Sequence, residues 1–230
     1  MPTSVRDRDV VRPLGRIGVV AALAAALTGV GAWLTTAHGA PPAPDDIKPP
    51  EITLDAERGE IAIEGDLAEG TAKRLRVMLR AKPNVRVLSL DSDGGLVDEA
   101  EQLGDIVAAH GLSTVVRDSC VSACTLVYVR GRERFAQEGA RFGFHAPWVP
   151  AEGGKEEQVP SDDEKQAYLA AGIAGDFVTE ALAVPSEQVW FPEGKRLVDA
   201  RVVTTILPEK ALDARLATLG APNRYAAAAE

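Results

Sequence analysis

Val85-Arg86-Val87-Leu88-Ser89-Leu90-Asp91-Ser92-Asp93-Gly94-Gly95 decides the architecture of this chain. Its first six residues carry the aliphatic and β-branched side chains of a strand, and it ends in two glycines, which reach backbone conformations closed to other residues. Beyond the turn, Leu96, Ala100, Leu103 and Val107 recur at helical spacing, while Asp98, Glu99 and Glu101 lie near the positive end of the helix dipole. A helix launched directly from a strand is the building unit of a layered α/β domain.

The unit recurs along the chain. Gly111 stops the first helix and residues 112–116 form the next strand. Cys120-Val121-Ser122-Ala123-Cys124 is then a second strand-to-helix junction, followed by an apolar helix over residues 125–129 that ends at Gly131. Upstream, Ile61-Ala62-Ile63 is a strand closed by Gly65, and residues 72–79 read as a helix. Downstream, Arg141-Phe142-Gly143-Phe144-His145 alternates as a strand does and puts His145 at its end. Residues 148–163 are polar and rich in Gly, Pro and Glu, which predicts a loop and a candidate lid. A helix over 164–182 and a closing segment over 190–207 complete the domain, and the Ala-rich last residues are expected to fray.

With 230 residues, 46% of them apolar, the chain can bury one sizeable core. The net charge is -9 and no long basic block occurs, so a nucleic-acid surface would have to work against the overall field; no nucleic-acid partner is expected. The N-terminus differs from the rest. Arg6, Arg8, Arg12 and Arg16 precede an uncharged run from Ile17 to Leu34, and the next charge is Asp45. The reading is a basic tail (1–16), a hydrophobic helix serving as transmembrane anchor or signal segment (17–36), a Pro-rich linker (37–50) and one domain (51–220). Ala37-His38-Gly39 before Ala40 also suits signal-peptidase cleavage, so anchor and signal both stand. On either reading the basic flank stays in the cytoplasm and the bulk is exported to the periplasmic side, tethered to the membrane where the segment is kept.

Export changes the meaning of Cys120 and Cys124, the only cysteines, because thiols oxidise outside the cytosol. A disulfide between them and a pair of buried free thiols are the two readings. Zinc would need two further ligands, and His38 and His110 stand in no matching pair, so no metal is expected.

Three motifs together resemble the proteolytic subunit of Clp protease. Asp91-Ser92-Asp93-Gly94-Gly95 is similar to its Ser-Pro-Gly-Gly turn, Ser122-Ala123-Cys124 before an apolar helix to its nucleophile helix, and Gly143-Phe144-His145-Ala146-Pro147 to its His-Gln-Pro segment. The resemblance runs from about Ile61 to Thr204. It implies a ClpP/crotonase-like fold, a layered β-sheet with flanking helices. It also implies Ser122 as nucleophile, His145 as general base, the backbone N–H groups of Gly95 and Ala123 as the oxyanion hole, and Gly94 against the substrate. The family's aspartate falls nearest Gln188 here, so the third member is read as Glu187, with Asp176 farther upstream and a dyad oriented by a neutral amide or a backbone carbonyl as the alternatives.

The residue chemistry suits those roles independently. A serine at a strand-to-helix junction lies beside unpaired N–H groups, two glycines let a substrate backbone approach, and an imidazole titrates near neutrality. Each also has a plainer role: Ser122 as helix N-cap, His145 as a buried structural histidine, Gly94-Gly95 as a tight turn. The expectation is a cofactor-free serine peptidase or hydrolase acting on peptides or unfolded proteins outside the cytoplasm. The alternatives are an inactive binding or scaffold module and a crotonase-like acyl-thioester enzyme. The resemblance leaves a homo-oligomer open.

Overall fold

The computed structural model describes residues 10–13, 47–151 and 155–220, so the 17–36 segment, most of the basic tail and linker, and the Ala-rich end lie outside the described residues. Among the described residues no helix is long and apolar enough to cross a membrane.

The strands are β1 (Val10–Pro13), β2 (Glu51–Asp55), β3 (Glu60–Glu64), β4 (Val87–Ser92), β5 (Ser113–Val121), β6 (Arg134–Gln137), β7 (Arg141–Gly143), β8 (Trp148–Ala151), β9 (Lys155–Gln158), β10 (Gln188–Phe191) and β11 (Thr205–Leu207). The helices are α1 (Thr71–Ala81), α2 (Val97–His110), α3 (Ala123–Tyr128), α4 (Asp162–Ala170), α5 (Gly175–Leu182), α6 (Gly194–Asp199) and α7 (Glu209–Gly220). Seven strands form one sheet in the order β11-β6-β5-β4-β3-β2, with β7 also paired to β5. All its pairings are parallel except β2 with β3.

Side chains alternate between the two faces, as the pleat demands. Leu88 and Leu90 of β4 and Val116 of β5 enter the main core with Leu75 and Leu79 of α1 and Leu103 and Val107 of α2. Their neighbours Val87 and Val115 face the other way and meet Phe135, Leu212 and Leu216, so α7 covers the opposite face. The sheet is therefore sandwiched between helices. The α/β layered reading holds.

β5 is the spine of the site. The sequence reading ends this strand at Val116, because Arg117-Asp118-Ser119 is polar. The structure carries it on to Val121, since Arg117 is held by Glu60 at 2.8 Å, Ser89 at 3.1 Å and Asp213 at 3.3 Å. Its first part pairs Thr114–Val116 with Arg134–Ala136, and its last part pairs Ser119–Val121 with Arg141–Gly143. One strand thus delivers Ser122 beside the segment that ends in His145.

Two expectations change. Residues 148–163 are not all loop: β8 and β9 form an antiparallel hairpin, with Trp148 opposite Gln158 and Ala151 opposite Lys155, a pairing masked in sequence by Pro150 and the charged residues of β9. The helix over 164–182 is two helices, α4 and α5, because Gly172 at φ +79° leaves the helical conformation between them.

Candidate functional site

Two strand-to-helix turns meet at the C-terminal ends of β4 and β5. In the first, Gly94 and Gly95 have φ of +113° and +132°. Leu67 clamps this turn: its N–H donates to the Gly94 carbonyl at 2.7 Å and its carbonyl accepts from Leu96 N–H at 2.9 Å. A methyl built on Gly95 would come within 2.7 Å of the Leu67 backbone, so glycine is required by space as well as by conformation.

The second turn is Ser122, at φ 55° and ψ −129°. Among the described residues other than glycine, only Ser122 and Arg201 have positive φ. Such a conformation costs on the order of 1–3 kcal/mol and persists only where surroundings hold it. Here Ser122 N–H donates to the Gly143 carbonyl at 2.9 Å, and its own carbonyl accepts from Thr125 N–H at 2.9 Å and Thr125 Oγ1 at 2.7 Å. Cys120 and Cys124 form a disulfide across the turn, with Cα atoms 5.4 Å apart and both residues fully buried. The sequence left free thiols open; the structure closes that alternative.

The two turns touch. A methyl on Gly94 would lie 2.8 Å from Ser122 Cβ and 3.1 Å from the Ala123 nitrogen. Among the described residues neither Gly95 N–H nor Ala123 N–H donates to an acceptor. One unpaired donor, Ala123 N–H, therefore adjoins the serine, and the other, Gly95 N–H, belongs to the turn packed against it.

His145 follows β7, whose Gly143 is in register with Val121. Ser122 N–H donates to the carbonyl of that same Gly143, which ties the serine to the segment two residues before His145. Gly143 admits this approach, since a methyl there would meet Val189 at 2.6 Å and Val121 at 2.8 Å. His145 Nδ1 lies 2.8 Å from the Ala146 carbonyl oxygen. A carbonyl only accepts, so Nδ1 is the donor in this contact. No hydrogen bond joins Ser122 Oγ to the imidazole among the described residues.

Glu187 sits in the turn before β10 and is exposed, and among the described residues it enters no ion pair. The backbone nearby is tied to the histidine segment, because Ala146 N–H donates to the Val184 carbonyl at 2.8 Å. Gln188 is half-buried at the start of β10. The Ala146 backbone carbonyl is a hydrogen-bond contact that the structure displays at Nδ1.

Sequence reasoning missed Thr125, Tyr168 and Leu67. The first carried a signal, a threonine three residues after a junction serine, a spacing at which hydroxyls bond local backbone. The other two are brought in from distant segments. Near the turn, Asp91 is pushed above the ordinary carboxylate range by partial burial and then by neighbouring Asp118. No group of three or more metal-ligating side chains occurs among the described residues.

No family model matches the sequence, and no curated protein matches it. Solved structures do match by fold. A mutant of the 1510-N membrane-bound stomatin-specific protease aligns with a TM-score of 0.52 at 14% identity, covering 66% of this chain and 80% of that one. A mutant of ClpP1 from Listeria monocytogenes aligns at 0.52 and 15%, covering 68% and 95%. A putative enoyl-CoA hydratase from Streptomyces avermitilis aligns at 0.53 and 13%, covering 80% and 78%. The fold is therefore ClpP/crotonase-like, shared by proteases and by hydratases.

Proposed function

We propose that the domain is a serine hydrolase of peptide substrates, with Ser122 as nucleophile and His145 as general base. The observation that carries this reading is Ser122 itself: a strained, half-buried serine at φ 55°, pressed against Gly94, with the unpaired N–H of Ala123 next to it. Folding has no evident use for strain at that residue unless its hydroxyl must project there. A peptide-bound relative of the fold, the stomatin-specific protease with a substrate peptide, aligns at a TM-score of 0.53 and supports the choice of substrate class.

In the proposed reaction Ser122 Oγ attacks a substrate carbonyl carbon and its proton passes to His145 Nε2. The carbonyl oxygen becomes an oxyanion facing the N–H groups of Gly95 and Ala123. Collapse breaks the C–N bond and His145 returns the proton to the leaving amine. Water then repeats the sequence on the acyl-enzyme and frees the serine. The Ala146 carbonyl holds the tautomer that this base needs, and Glu187 remains the carboxylate candidate for the third place.

The test is intact-mass analysis after treatment with a fluorophosphonate. One adduct on the wild type, absent from Ser122→Ala and from His145→Ala, is the expected result. No adduct on folded, oxidised protein would overturn the hydrolase reading and favour a binding module or a crotonase-like site that uses the two N–H groups alone.

Export with a membrane tether at 17–36 belongs to the same proposal. The buried disulfide supports an oxidising compartment. The pairing of β1 with β10 opposes it, since Val10–Pro13 cannot reach Gln188–Phe191 if residues 17–34 span a bilayer between them. Alkaline phosphatase and green fluorescent protein fused in turn to the C-terminus decide: activity of the first with darkness of the second supports export, and the reverse pattern sinks it.

A further inference from the structure

The Ser122 carbonyl is gripped from one side. Thr125 supplies both its N–H at 2.9 Å and its Oγ1 at 2.7 Å. A hydroxyl has one proton, and Thr125 commits it to Ser122, so Thr125 Oγ1 must be the acceptor in its 2.6 Å contact with Tyr168 Oη. Donation therefore runs in one direction, from Tyr168 to Thr125 to the Ser122 carbonyl. Both residues are buried, Thr125 completely and Tyr168 with 5% exposed, and burial holds the phenol well above its ordinary range, so it keeps the proton it donates.

The peptide between Ser122 and Ala123 is planar and trans, so its C=O and N–H point in opposite directions. Holding the carbonyl toward Thr125 aims Ala123 N–H the other way, to the side on which Gly94 lies. A flipped peptide would set a carbonyl oxygen where the oxyanion must be received. We infer that Thr125 and Tyr168 are positioning residues that fix the peptide plane of the Ala123 oxyanion donor, an inference that rests on Ser122 being the nucleophile. Tyr168 comes from α4, the helix that follows the β8–β9 hairpin, while His145 lies just before that hairpin, so the clamp ties the far end of this segment to the nucleophile turn.

A buried hydroxyl pair also serves to satisfy polar groups in a core, and kinetics separate the two roles. The full chain is labelled with a fluorophosphonate over a range of concentrations: Ser122 Oγ bonds to phosphorus, the P–F bond breaks, fluoride leaves and His145 takes the serine proton. Tyr168→Phe is expected to lower the maximal labelling rate about fivefold, the worth of one net hydrogen bond, and Thr125→Val about tenfold, with the half-saturating probe concentration unchanged. Thr125→Ser, which keeps the hydroxyl, is expected to label as the wild type does. The Thr125→Val/Tyr168→Phe double variant is expected to match Thr125→Val, because the relay is already cut. Wild-type labelling rates in Tyr168→Phe and Thr125→Val, or fully additive losses in the double variant, would overturn the inference while leaving the nucleophile intact. A wild type that takes no label removes the nucleophile reading and this inference with it. Should Thr125→Val fail to fold, Tyr168→Phe against the wild type decides.

Discussion

The two strand-to-helix turns of the site solve one backbone problem in opposite ways. After β4 the chain needs positive φ twice and uses Gly94 and Gly95, which adopt it without strain; after β5 it needs positive φ once and uses Ser122, which does not. The first turn needs little holding, and Leu67 secures it through two backbone hydrogen bonds. The second is held by Gly143, Thr125 and a disulfide. On the proposed reading, the contrast separates a turn that only has to present backbone from one that has to present a side chain.

The largest expected effect breaks the unstrained turn. Gly95→Ala places a methyl 2.7 Å from the Leu67 nitrogen and oxygen at φ +132°, and backbone atoms on both sides have nowhere to move. Fluorophosphonate labelling should fall at least a hundredfold, the loss typical of removing one oxyanion donor, and the melting temperature should drop. Labelling within a fewfold of wild type would show that Gly95 N–H is not part of the hole.

Next comes the disulfide. Closing so short a loop stabilises by about 2 kcal/mol on chain-entropy grounds, less than a long loop gives. Its placement across Ser122 suggests a larger effect on chemistry than on folding. In Cys120→Ser/Cys124→Ser, folded as judged by near-ultraviolet circular dichroism, labelling should fall by more than that stability loss implies. A variant that is less stable yet labels at the wild-type rate would make the bridge an ordinary staple.

The layered domain was legible because the strand, the glycine pair and the helical repeat after it occupy one short stretch, residues 85–107, and local pattern suffices there. The split of 164–182 was less visible, since Gly172 and the small residues around it also fit a helix read by periodicity alone. Ser122, His145 and the glycines were legible as positions, because junction chemistry is local. Their supports were not. Leu67 reaches Gly94 from the segment between β3 and α1, Tyr168 reaches Thr125 from 43 residues away, and the Ala146 carbonyl at Nδ1 depends on a ring orientation that only packing sets. The third triad place stayed ambiguous for the same reason, as Glu187 and Gln188 differ by one residue in sequence and by exposure in the fold.

The sharpest form of the comparison makes the second turn like the first. Ser122→Gly and Ser122→Ala both delete the hydroxyl and both should lose the adduct, so activity cannot tell them apart. Stability can. Alanine keeps a Cβ at φ 55° and ψ −129°, whereas glycine occupies that conformation freely, so relief of strain favours Ser122→Gly even though glycine loses more chain entropy on folding. Denaturant unfolding should show Ser122→Gly more stable than Ser122→Ala by about 1 kcal/mol, the reverse of the order seen where a residue sits in ordinary helix or strand. Equal stabilities, or the ordinary order, would mean that the turn relaxes once the hydroxyl is gone. The strain would then belong to the serine's contacts rather than to the backbone path between β5 and α3.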